Sequence, residues 1–197
     1  MTDIADDVIS LADELGLSIT LGGGSVLGAA RHRGFVPWDD DIDLNITRKE
    51  WEVFAPVLQE RFEEKYFIYA PDSFSDAVIN AIRIYKRGTK LREIAHAPNE
   101  PNGIFVDIFL LENAPDNGAI RLCHGVLCQG LRYIASCVRL YEQRAYIESV
   151  FGKNAEAMAG YRKRFFVGRI FSFSSAHSWS LLSYKANGLC KTRLLDS

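Results

Sequence analysis

Hydrophobic positions near the start of the chain change period repeatedly, and each change marks a new element. Ile4, Val8, Leu11 and Leu15 recur at helical spacing, with Thr2 or Asp3 as N-cap and Gly16 as a stop, which predicts an amphipathic helix over 3–15. Leu17 to Leu21 alternates as a short strand. Three glycines follow, and "SVLGAARHR" opens a second helix with Ser25 near its N-terminus. Pro37 then breaks any helix, and "DIDLNI" sets Asp41, Asp43 and Asn45 on one face of a strand and Ile42, Leu44 and Ile46 on the other. Thr47 and Glu50 form a capping box ahead of a helix that turns Trp51, Phe54, Val57, Leu58 and Phe62 inward. "YFIYA", "VINAIRIYKR" and "GIFVDIFLLE" read as strands, with loops at "PDSFSD" and "HAPNEPNG". From 118 the pattern is helical, over 118–150 and 154–168, then a Ser-rich turn and a last helix over 177–191. The predicted class is α+β: a mixed sheet flanked by helices in a core of residues 1–117, with a C-terminal helical region over 118–197 packed on it.

The candidate chemistry lies between Gly22 and Asp43, where Asp39, Asp40, Asp41 and Asp43 crowd into five positions. Carboxylates so close repel one another, so either a cation or a solvated loop must absorb the field. Asp41 and Asp43 point the same way from a strand, and "IFVDIFLL" carries a single charge, Asp107, inside an otherwise apolar strand. A lone carboxylate in a buried strand has to be paired or coordinated. Three converging carboxylates would make an oxygen-rich site of the kind Mg2+ or Mn2+ prefers, with oxygens within about 4–6 Å of a common point. The alternative is that Asp107 answers Arg83 or Lys86 across the sheet and that the aspartate run is a solvated loop. Asp39 is expected to orient the loop, outside the ligand shell, and Asp40 to face away by alternation. The strand, glycine turn and helix N-terminus around Gly23, Gly24 and Ser25 offer N–H groups and a positive dipole end to a phosphate. Arg31 and Lys86 are further phosphate-binding candidates, with Arg83 and Lys90 considered beside Lys86. Trp38 either anchors its loop or stacks on a base or sugar, the anchor being the preferred reading. His96 and His124 have no companion at ligand spacing and are given no role.

"GGGS", "DID" and "VDI" occur in the chain order of the palm-type nucleotidyltransferase sheet. More closely, Gly24, Leu27, Gly28, Arg31, His32 and Gly34, the run "PWDDDID" at 37–43 and "IFVDIFLLENAPD" at 104–116 resemble the LicD family, which includes bacterial phosphocholine transferases and is related to the fukutin proteins of animals. The resemblance implies a nucleotidyltransferase-like sheet. It also implies metal-dependent transfer of a phosphoryl-alcohol unit, such as phosphocholine, from a CDP-linked donor to a sugar hydroxyl of a cell-surface glycan or glycopolymer such as lipopolysaccharide or teichoic acid. Asp41, Asp43 and Asp107 would hold the metal, with Asp107 also a candidate general base, and the N–H groups around Gly24 and Ser25 would hold the donor phosphate. The family's usual further segment, with an aromatic-glycine motif, is not recognisable after "YKANGLCKTRLLDS", so the chain is expected to be truncated relative to the family.

Composition narrows the partners. Net charge is −2, which gives no reason to expect nucleic acid, yet residues 1–118 hold 21 acidic and 11 basic side chains while 119–197 hold 4 and 12. A basic helical region either complements the acidic part or attracts an anionic acceptor or membrane surface. "YRKRFFVGRIF", 161–171, mixes cations with aromatics in a way that suits peripheral membrane contact and a lipid-linked acceptor, against the plainer reading of a core helix with a basic edge. Asp3, Asp6 and Asp7 oppose a secretory signal, and Gln129, Arg132 and Arg139 interrupt the most apolar later stretch, so a cytoplasmic location, compatible with the inner face of a membrane, is expected. Cys123, Cys128, Cys137 and Cys190 fall at no zinc spacing and are expected to be reduced core thiols. Three functions remain open on sequence grounds: the LicD-like phosphotransferase, a nucleotidyltransferase acting on a small acceptor, and a metal- and nucleotide-binding module without turnover. Released CMP marks the first, released pyrophosphate the second, and neither product the third.

Overall fold

Helix α1, Thr2–Leu15, forms where the 3.6-residue pattern places it and ends at Gly16, whose φ of 67° puts it in the left-handed region that glycine enters without a Cβ penalty. It buries Ile4, Ala5, Val8, Leu11 and Ala12. The computed structural model describes residues 1–39, 41–72, 81–91 and 101–190. Asp40, His96 and the first residues of the predicted strand at 78–87 lie outside the described residues, as do parts of both predicted loops.

Strand β1 is only Thr20–Leu21, shorter than the alternation from Leu17 predicts. Helix α2, Gly23–His32, starts at the second glycine of the turn rather than at Ser25. Strand β2, Asp43–Thr47, leads into helix α3, Arg48–Phe62, through the predicted capping box: Glu50 N–H donates to Thr47 Oγ1 at 3.3 Å and Thr47 N–H to Glu50 Oε2 at 3.3 Å. Strands β3, Tyr66–Tyr69, β4, Ile82–Lys86, and β5, Phe105–Leu111, complete a five-stranded mixed sheet in the order β1-β2-β5-β4-β3. β2 and β5 pair parallel, and the other neighbours antiparallel.

Alternation decides what each face of this sheet carries. Leu44 and Ile46 of β2, Ile84 of β4 and Val106 and Ile108 of β5 are fully buried, and α1 and α3 pack on the sheet with Ile4, Val8, Leu11, Trp51, Phe54 and Leu58. The other face carries Asp43, Asp107 and Arg83, which the register sets side by side across three strands. Chain contacts group this sheet and α1–α3 into one compact unit.

The described residues from Asn113 onward belong to a second compact unit. It holds α4, Gly118–Glu142, α5, Arg144–Phe151, α6, Ala155–Phe171, and α7, Ala176–Asn187. The predicted helix over 118–150 breaks at Gln143, while α6 runs three residues past its predicted end. α4 packs on α6 and α7. Gly168 permits that approach, since a Cβ there would lie 2.2 Å from the Cys137 carbonyl oxygen. Cys128 and Cys137 are buried as free thiols, whereas Cys123 is exposed and Cys190 partly so, which corrects the expectation of four core thiols. Cys123 lies on a stretch of α4 where Leu122, Val126 and Leu127 are exposed as well. Among the described residues no helix is long and apolar enough to cross a membrane.

Candidate functional site

Asp43 opens β2 and lies in register with Asp107 in the middle of β5, so parallel pairing brings the two carboxylates together on one face. Asp41 precedes the strand instead of lying in it, because regular pairing begins only at Asp43. The Ile42 carbonyl nevertheless accepts from Asp107 N–H at 2.9 Å, which ties the lead-in to β5. The result is a cluster: carboxylate oxygens of Asp41, Asp43 and Asp107 all lie within 4.8 Å of one another. At that separation two like charges repel by about 3 kcal/mol at an effective dielectric of 20.

One cation of the chain offsets part of this. Arg83 on β4 donates from Nε to Asp107 Oδ1 at 2.8 Å, and its guanidinium lies 4.2 Å from the Phe105 ring centroid. Asp107 thus pairs with Arg83, as one of the predicted alternatives has it, and also stands within the carboxylate cluster. Burial pushes the Asp107 carboxyl up, and Arg83 pulls the other way without cancelling it. Asp41 is pushed up to about 6, first by burial, then by the charge of Asp43, by a hydrogen bond with Asp39 and by Asp107. A hydrogen bond between two carboxyl groups requires a proton on one of them, which accords with the raised Asp41.

The shift has a sign that can be measured. Between its ordinary 3.8 and about 6, Asp41 holds a proton in the folded chain that the unfolded chain lacks, so its contribution to stability falls as pH rises through that window. Without divalent cation, Asp41→Asn is therefore expected to gain stability relative to wild type between pH 4 and pH 7. Urea denaturation in EDTA at the two pH values measures this. An equal difference between the two proteins at both pH values would show that Asp41 is unstrained.

The glycine turn borders the cluster directly. Gly24 N–H donates to Asp43 Oδ2 at 3.3 Å, Asp43 N–H donates to Ser25 Oγ at 2.9 Å, and Gly22 N–H donates to the Asp43 carbonyl at 2.8 Å. No side chain fits at the first two helical positions: a Cβ on Gly23 would sit 2.1 Å from Asp43 Oδ2, and one on Gly24 2.0 Å from Asp39 Oδ2. Positive peptide ends, backbone N–H groups and three carboxylates therefore meet within a few ångströms.

Not every predicted residue comes here. Lys86 lies on the opposite face of the sheet from Asp107 by alternation and pairs with Asp3 of α1 at 2.7 Å, which removes it from the phosphate-binding set. Arg31 is exposed in the last turn of α2, eight residues and roughly 12 Å along the axis from the glycine turn, and the structure does not bring it to the cluster. Lys90 is exposed beyond β4. Asp39, expected outside the shell, bonds Asp41 and borders Gly24. Its signal was the spacing itself, since 39, 41 and 43 share one parity. Trp38 is 83% exposed, its ring edge-on to His32 at 6.4 Å, so it is no buried anchor.

A family model described as "LicD/FKTN/FKRP, nucleotidyltransferase domain" matches residues 16–120, more than half of the chain and all of the cluster. The chain belongs to the LicD/FKTN/FKRP family. It is 34% identical over 119 residues to the lipopolysaccharide cholinephosphotransferase LicD of Haemophilus influenzae, covering 60% of this chain and 44% of that protein. It is 44% identical over 46 residues to the ribitol 5-phosphate transferase FKRP of mouse and of human, covering 23% of this chain and 9% of each relative. This LicD-family chain thus spans less than half the length of those relatives. No solved structure matches it.

The donor set fits a hard divalent cation. All three side chains offer carboxylate oxygen, they stand close enough for shared coordination, and their charge is only partly met by Arg83. Nothing in the set offers sulfur or imidazole, which a softer metal would favour.

Proposed function

We propose that this LicD-family chain carries the catalytic centre of a divalent-cation-dependent transferase. It would move a phosphoryl-alcohol unit, such as phosphocholine, from a CDP-linked donor to a sugar hydroxyl of a cell-surface glycan or glycopolymer. The observation that carries this reading is the convergence of Asp41, Asp43 and Asp107 beside the N-terminus of α2. The names of the relatives, a cholinephosphotransferase and a ribitol 5-phosphate transferase, supply the class of group transferred.

Asp41, Asp43 and Asp107 would hold Mg2+ or Mn2+, which when bound neutralises charge on the donor's diphosphate and the leaving group. Gly24 N–H and the Ser25 hydroxyl turn from Asp43 to the donor phosphate, as the α2 dipole favours. Arg83 fixes the Asp107 carboxylate, so Asp107 positions and makes a poor base. Asp39, at the rim beside Gly24, accepts the proton of the acceptor hydroxyl. The hydroxyl oxygen bonds to the phosphorus bearing the alcohol, the bond from that phosphorus to the bridging oxygen breaks, and CMP leaves with the electron pair.

Phosphorus NMR of a CDP-alcohol incubated with chain, Mg2+ and a glycan acceptor tests the reading. CMP and a new phosphodiester are expected. Pyrophosphate from a nucleoside triphosphate would instead mark a nucleotidyltransferase, and binding without either product a module lacking turnover.

A lipid-linked acceptor would bring the chain to a membrane. The outward face of α6 carries Arg162, Lys163, Phe166, Arg169 and Ile170, all exposed, with Phe173 just beyond the helix 78% exposed. Basic and aromatic residues dominate that face, with Glu156 of the first turn as an acid on the side of Lys163, and such a surface suits an anionic partner. Co-flotation with phosphatidylglycerol liposomes is expected at low salt and is expected to weaken with added salt or on Phe166→Ser. No flotation at low salt would end the membrane proposal.

A further inference from the structure

Beside the acidic cluster the same unit holds a cavity of about 410 Å3, within the range of small-molecule sites. Its floor is apolar, formed by Ala5, Val36 and Ile42, which are buried, and its rim carries Leu21, Phe35 and Arg33. Two further lining residues belong to the neighbourhood of the cluster: Ser25, which accepts from Asp43 N–H, and Asp39, which bonds Asp41. Cavity and cluster are therefore adjacent, with Ser25 and Asp39 between them.

The cavity follows one stripe of α2. Ser25, Ala29 and Arg33 recur every four residues, so they lie one above another along the helix, roughly 6 Å apart. The stripe starts where a phosphate would be held and ends at a guanidinium. Its wall is fixed by the close approach of α2 to the chain at 34–36, where a Cβ on Gly28 would fall 2.4 Å from the Gly34 carbonyl oxygen. Arg33 itself adopts φ 54°, a left-handed conformation uncommon for a non-glycine residue, and this directs the chain from the helix into the cavity rim.

We infer that this cavity receives the nucleoside of the donor, on the reading of the chain as a transferase that uses a nucleoside-diphosphate donor. A nucleoside is one bond from the diphosphate, so it can leave the glycine turn along the stripe. Its base has flat apolar faces for Phe35, Val36 and Ile42, and ring and carbonyl acceptors for Arg33. A cationic alcohol such as choline would be repelled by the same guanidinium, and the nearest carboxylate, Asp39, is already engaged by Asp41. The alcohol end of the donor then lies on the open side of the cluster, toward the acceptor.

Calorimetric titration of the full chain with CMP, inorganic pyrophosphate and phosphocholine, each with Mn2+ present, tests this. Ala29→Phe fills the stripe at an exposed helical position, and Phe35→Ala removes the stacking face; circular dichroism confirms that both fold. The expected result is that Ala29→Phe weakens CMP at least tenfold and Phe35→Ala severalfold, while pyrophosphate affinity stays within twofold of wild type. If wild type and both variants bind CMP equally, or if phosphocholine is the ligand that Ala29→Phe weakens, the inference is overturned and the transferase reading stands. If wild type binds neither CMP nor pyrophosphate, both fall together.

Discussion

Asp43→Asn is expected to lower cation-dependent transfer by about 10³-fold or more, the scale on which loss of one charge-stabilising group costs an active site. Asp43 stands at the centre of the constellation: it shares the cluster with Asp41 and Asp107, accepts from Gly24 N–H and donates its own N–H to Ser25. The substitution retains shape and both backbone contacts while removing one of three crowded charges. In EDTA the variant should therefore melt at the wild-type temperature or above it. With saturating Mg2+ the wild type should gain stability, about 2.7 kcal/mol at a hundred times Kd, and the variant much less. A variant that melts lower than wild type in EDTA, with no cation effect on either protein, would make Asp43 a structural residue.

Asp39→Asn carries the second large effect and separates proton transfer from cation binding. A positioned base contributes roughly 10²- to 10⁴-fold, so kcat is expected to fall by that range while Mn2+ affinity stays within a few-fold of wild type. If Asp39→Asn loses cation binding as fully as Asp43→Asn, then Asp39 is a fourth ligand and the proton goes elsewhere.

Much of this site was legible because two-residue alternation and a lone charge in an apolar strand each have one physical meaning. Parity put Asp41 and Asp43 on one side, and burial made Asp107 a residue that needed partners. The mixed α+β arrangement with C-terminal helices was likewise readable from periodicity, including the capping box at Thr47. What periodicity cannot show is how far a strand extends before its partner begins, and so Asp41 fell outside β2. Nor does it show which face meets which helix: Lys86 has the parity of Ile84 and turns to Asp3 of α1, away from the acids. Asp39 stays outside the set of three converging carboxylates, as expected, but only the fold reveals that it lies against Gly24 and bonds Asp41. The cavity along α2 had no sequence signal, since it depends on Gly28 letting the chain at 34–36 close over the helix.

Electron paramagnetic resonance of Mn2+ titrated into the chain tests most directly whether the three aspartates form a cation site. Saturable Mn2+ binding by the wild type, displaced by Mg2+, is expected, and so is its loss in Asp41→Asn, Asp43→Asn and Asp107→Asn alike. Undiminished binding in all three variants, or no binding by the folded wild type, would contradict it.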